Sequence, residues 1–421
     1  MPNPWVMQPW IVRVTWRWVK VLLISLVLLL VLVIGGGWYA LAHLHLNLAG
    51  NFPPNPPPSP TGLNVVVSAD GSTAYVTEPS HDRLVVMDTR TGGVLAQVPT
   101  GPTPSGLALS PDGRQVWVVD TNVPGAPLAG EVTVVSTSNY QVLGSISVGS
   151  GPIDVAFSPD GSHAYVTNNG PIGDGAVSVI DTSFCCSESF FTPSSGSLSP
   201  FPMYDWNPTS VAVSADGSQI WVSEAPTFTT TGRNDYVYVF DADSLSSMGS
   251  APNVLAKIRV GQEPFFMVMP PGSPYAYVAD KVSCDVKRID VWSFKVVSTV
   301  RLSPARGCPF GLAASTTAPV AYVATGNDKT VNLGSKGRNV ERVDFSTGKV
   351  SLLDFRGSDP VTVTLDPTGT LLYVVDADTG VIQVIRAETG AAAGSLHLPS
   401  SPTTTTTNSP TPPGVFVPGR T

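Results

Sequence analysis

Histidine, cysteine and charge are scarce in this chain, and each scarcity removes a class of function. Of 421 residues only 13% are charged, five are histidine and four are cysteine. His43 and His45 border a hydrophobic segment, while His81, His163 and His397 fall in separate repeats, so no cluster has the spacing of a zinc or copper site and no metal is expected. The CxxCH haem attachment motif, the GxSxG nucleophile elbow and the GxxxxGK[ST] phosphate loop are all missing, and no cofactor is expected. Positive charge is short as well. Beyond Arg13, Arg17 and Lys20, 20 Lys and Arg face 31 Asp and Glu, a balance of about -11 that argues against nucleic acid as a partner.

Glycine (39) and proline (40) are plentiful and disfavour a helical bundle. One segment stands apart. Residues 21–42 carry no formal charge and include VLLISLVLLLVLVI, enough at about 1.5 Å per residue to cross a hydrocarbon core of about 30 Å. The three cations before it, with none following until Arg83, place residues 1–20 in the cytoplasm and the rest outside. The expectation is a single-pass anchor in the cytoplasmic membrane. The alternative is a cleaved signal peptide and a secreted protein, because Ala40-Leu41-Ala42 has the form of a cleavage site. Residues 43–60, which include NFPPNPPPSP, read as a semi-rigid linker, and the Thr/Pro-rich residues 399–421 as a disordered tail.

Between them, over residues 61–398, one unit recurs: an apolar strand, a turn like SPDG, a strand centred on an aromatic-Val pair, a loop, a strand like VSVID, a turn and a last strand. The aromatic marks are Tyr75, Trp117, Tyr165, Trp221, Tyr277, Tyr322 and Tyr373, spaced by 42, 48, 56, 56, 45 and 51 residues. Such spacing suits a four-stranded blade, and seven marks predict an all-β, seven-bladed β-propeller preceded by one N-terminal transmembrane helix. The turns read SADGS, SPDGR, SPDGS, SADGS and DPTGT in the first four and the last copies, and depart to PPGSP and STTAP in the fifth and sixth. The third copy, VAFSPDGSHAYVTNNG followed by AVSVIDT, resembles the YVTN β-propeller repeat family, whose members occur in surface layers and among exported proteins. The resemblance implies fold far more than activity. Some seven-bladed relatives are lactonases or dehydrogenase subunits.

In such a ring, the turns after the first and third strands of each blade share one face, and they read here as uniformly tight. The remaining connections share the other face and are long, for example 120–131, 168–175, 224–235 and 325–339, which marks that face as the candidate binding surface. Prolines 104, 152, 208, 264, 309 and 360 open first strands and read as structural. Around them Asp154, Tyr204, Trp206, Glu263, Phe265, Phe266, Phe310 and Asp359 point to the channel mouth, with Arg233 in a flanking loop. Aromatics beside carboxylates suit a sugar, a peptide or a cation. Cys284 and Cys308 should share the long-loop face of adjacent blades and form a disulfide, whereas adjacent Cys185 and Cys186 are undecided between a vicinal bridge and thiols. The expected function is an extracytoplasmic, membrane-tethered binding module for a glycan, peptide or protein. An enzyme and a structural envelope component are the alternatives.

Overall fold

A computed structural model describes residues 62–121, 130–170, 175–184, 196–198, 207–225, 236–245, 252–326 and 338–399. These residues form twenty-eight strands, numbered in chain order, in seven four-stranded antiparallel sheets. The first sheet is β1 (Val65–Val67), β2 (Thr73–Glu78), β3 (Arg83–Asp88) and β4 (Val94–Pro99). Each later sheet likewise takes four consecutive strands, so every blade is built from one continuous stretch of chain. The innermost strands are β1, β5 (Pro104–Leu109), β9 (Pro152–Phe157), β13 (Pro208–Val213), β17 (Pro264–Val268), β21 (Gly311–Ala314) and β25 (Pro360–Leu365). Each neighbours the next around the axis, and β25 neighbours β1.

The SxDG turns explain how each blade starts. The Ser68 hydroxyl donates to Asp70 Oδ1 (2.5 Å), which also accepts the Ser72 N–H, while Ser68 Oγ accepts the Thr73 N–H. Gly71 then takes φ 73°, open at little cost only to a residue without Cβ. The same bonds recur at Ser110, Ser158 and Ser214. In the seventh blade Asp366 takes the serine's place and accepts from Thr370 and Leu371. The two departing turns close by other means: PPGSP keeps a left-handed Gly272 (φ 73°), and in STTAP the Ser315 hydroxyl accepts the N–H groups of Thr317 and Ala318.

A propeller has no single core. Seven apolar clusters lie between neighbouring blades, and each contains or borders one of the aromatic marks. Second and third strands are therefore covered on both sides, which is why they are rich in Val, Ile and Tyr without alternation. The cluster joining the last blade to the first contains Val65, Val76, Val361 and Tyr373, and Thr362 Oγ1 donates to Leu63 O (2.8 Å) across that seam. Inner strands pack so closely that a Cβ on Gly106 would lie 2.4 Å from Ile153 O, and one on Gly311 2.8 Å from Val361 O.

The two faces differ, with one departure from the sequence reading. Third-to-fourth strand connections are tight in five blades, such as 89–93 and 345–348, but in the third and fourth they span 182–195 and 242–253. The tight-turn face is thus interrupted at one place. Residues 21–42 lie outside the described residues, and among the described residues no helix is long and apolar enough to cross a membrane.

Candidate functional site at the axis

Every inner strand begins on the long-loop face, because the tight hairpins fix the opposite end. Its first residue is set by a repeated bond: the residue before the strand's proline offers its carbonyl to the N–H just after the second strand. Thr103 O receives Thr121, Gly151 O receives Asn169, Asn207 O receives Ala225, Glu263 O receives Lys281 and Asp359 O receives Ala377. Thr103 and Glu263 take φ 52° and 53° to do so, a left-handed conformation that costs a non-glycine residue about 1 kcal/mol. Because both blades share it, the strain belongs to the chain path and not to a reaction centre.

Below this rim, inner-strand side chains form a polar belt. Asn64 Nδ2 donates to Ser105 O (2.8 Å), Ser105 Oγ to Ile153 O (3.3 Å), Ser210 Oγ to Asp154 Oδ2 (2.7 Å) and Thr209 Oγ1 to Pro264 O (2.7 Å). Asp154 also accepts the N–H groups of Val155 and Val211. Among the described residues no cation pairs with it, and desolvation pushes its carboxyl pKa up against those hydrogen bonds. The belt surrounds an axial cavity of about 170 Å³, whose walls include Asn64, Asp154, Ser210, Phe265, Phe266 and Thr362. The two phenyl rings meet edge to face at 5.0 Å.

Of the expected residues, Asp154, Phe265 and Phe266 come together in this wall. Glu263 lies at the rim with an oxygen 4.0 Å from Lys281 Nζ, and that ammonium stands 5.4 Å from the Phe265 ring and 4.9 Å from the Phe310 ring. Phe310 itself is only 5% exposed and packs in the seam between the last blade and the first. Asp359 is buried and does not line the cavity. Tyr204, Trp206, Arg233, Cys185 and Cys186 lie outside the described residues. Cys284 and Cys308 are bridged, with Cα atoms 4.8 Å apart, joining the fifth blade to the sixth on this face. Among the described residues no group of three or more His, Cys, Asp or Glu can hold a metal ion.

Lys281 was missed by the sequence reading. Its signal was positional: it directly follows a second strand, where the other blades have Pro79, Thr121, Asn169, Ala225, Gly326 and Ala377.

Neither a protein-family profile nor a characterised protein sequence matches the chain. Its fold resembles a chain of Kuenenia stuttgartiensis hydrazine synthase, with a TM-score of 0.59 and 21% identity over 80% of this chain and 98% of that one. It also resembles the β-propeller domain of Myceliophteria thermophila Cps50 (Swd1), with a TM-score of 0.61 and 12% identity over 76% of this chain and 96% of that domain. At such identities the likeness is one of fold.

Proposed function

We propose that this chain is an exported, membrane-tethered binding module of the YVTN type, and that its axial cavity receives one end of a small ligand, glycan or peptide. The observation that carries this reading is Asp154, a carboxylate without a cationic partner among the described residues, set beside two phenyl rings in one cavity. The cavity of about 170 Å³ is smaller than the roughly 300–1,000 Å³ of a drug-sized site, so it holds a terminal group while the long loops contact the rest. Phe265 and Phe266 supply apolar contact, Asp154 and Ser210 supply orientation, and Lys281 with Glu263 supplies charge at the rim.

A screen of glycans, peptides and metabolites against the full-length protein tests this. Phe266→Ala should weaken any hit about tenfold or more, as truncating a buried aromatic contact does. Binding that survives both Phe266→Ala and Asp154→Asn would move the site elsewhere. The tether rests on the charge-free stretch at 21–42 and the cations before it. Protease added to intact spheroplasts should release the propeller, and protection until lysis would reverse the orientation.

A further inference from the structure

The wall of the axial cavity keeps acceptors open, while its hydroxyl donors are already in use. Its polar side chains are Asn64, Ser105, Asp154, Thr209, Ser210 and Thr362. Each of the four hydroxyls gives its hydrogen to the protein: Ser105 to Ile153 O (3.3 Å), Thr209 to Pro264 O (2.7 Å), Ser210 to Asp154 Oδ2 (2.7 Å) and Thr362 to Leu63 O (2.8 Å). The Asn64 amide donates to Ser105 O (2.8 Å). A hydroxyl has one hydrogen, so none of the four can turn to a ligand without breaking a bond that joins two neighbouring blades.

Asp154 is the one carboxylate in that wall. Its Oδ2 takes the Ser210 hydroxyl and the Val211 N–H (3.1 Å), both from the fourth blade, whereas Oδ1 takes only the N–H of its own neighbour Val155 (2.9 Å). A carboxylate oxygen accepts two donors, so Oδ1 has room for one more. All three donors are neutral, and the residue is half-buried, open in part to the cavity. Beside it, Phe266 carries no cation among the described residues, although the Lys281 ammonium stands 5.4 Å from the neighbouring Phe265 ring. Lys281 lies 4.0 Å from Glu263, so the two rim charges offset each other. Resting on the axial reading above, we infer that the group this cavity receives is a primary ammonium, of the kind a peptide N-terminus or an aliphatic amine presents. An ammonium has three donors and no acceptor, which matches this wall, and the faces of Phe265 and Phe266 favour its charge. A guanidinium fork suits it less, since the fork seeks both oxygens of a carboxylate and Oδ2 is taken. A carboxylate, a phosphate or a neutral sugar would bury oxygens that no wall hydroxyl can serve.

Calorimetric titration of the full-length protein with n-butylamine, butan-1-ol, butyrate and glucose, in an amine-free buffer, tests it. Saturable butylamine binding is expected, about tenfold or more tighter than butan-1-ol, with no uptake of butyrate or glucose. Asp154→Asn should weaken butylamine about tenfold or more and change butan-1-ol by less than about twofold, whereas Phe266→Ala should weaken both. Absence of butylamine binding, or butylamine held no tighter than butan-1-ol, would overturn the ammonium assignment. That comparison uses the unaltered protein and stands even if Asp154→Asn does not fold. Butyrate or glucose binding that Phe266→Ala weakens would also overturn it while leaving the axial site in place. Butylamine binding unchanged in both variants would put the site elsewhere and overturn the axial reading too.

Discussion

The two faces of the ring use the same side chain in opposite ways. On the tight-turn face Asp70, Asp112, Asp160 and Asp216 are exposed, and hydrogen bonds from Ser hydroxyls and backbone N–H groups lower their pKa values, to about 2 for Asp70 and Asp160. On the long-loop face second strands end in Asp120, Asp280 and Asp376, all fully buried. Two of them hold the chain that arrives from the preceding blade: Asp280 Oδ2 accepts the Gly261 N–H and Asp376 Oδ2 the Ser358 N–H. At Asp120 and Asp280 burial dominates. It lifts Asp120 to about 7 and pushes Asp280 up as well, despite Lys287 at 2.7 Å. A carboxylate therefore reports its surroundings: water plus N–H donors favour the charged form, and a dry interior disfavours it.

The sharpest break of this contrast is Lys287→Met, which leaves Asp280 and Asp285 without their shared ammonium. A loss of about 3–5 kcal/mol in denaturant unfolding is expected, against almost nothing for Arg114→Met beside exposed Asp112. Next is pH. Because the folded-state pKa of Asp120 is raised from 3.8 to about 7, its stabilisation is complete below about pH 4 and disappears as pH rises to about 7. At about 1.4 kcal/mol per pKa unit the swing is at most about 4 kcal/mol, and Asp120→Asn should remove that slope. The turn aspartates run the other way, losing their contribution as pH falls from 3.8 toward 2. Third, reducing the Cys284–Cys308 bridge, 24 residues apart, should lower stability by about 3 kcal/mol. Smallest is Ser158→Ala, expected to cost about 1 kcal/mol through the lost turn bonds. An equal cost at Asp120→Asn and Ser158→Ala at every pH would erase the distinction between the faces.

The blades were legible because their signals are local. The seven aromatic marks lie in second strands and are buried, since an aromatic-Val pair between two sheets has no other place to go. Prolines 104, 152, 208, 264 and 360 open inner strands as their missing N–H allows. The axial wall was half legible. Asp154, Phe265 and Phe266 follow from strand position, but Phe310 and Asp359 turn into the protein. Lys281, just after a second strand, completes the rim.

By itself the sequence determined how many blades there are, where the SxDG turns fall and which residues can tolerate burial on two sides, because these depend on nearest neighbours along the chain. Only tertiary structure decided which carboxylates lose water and which keep it. Packing one blade on the next brings Ser210 onto Asp154 from a separate stretch of chain. Desolvation, unlike strand or turn propensity, is set by what arrives from elsewhere.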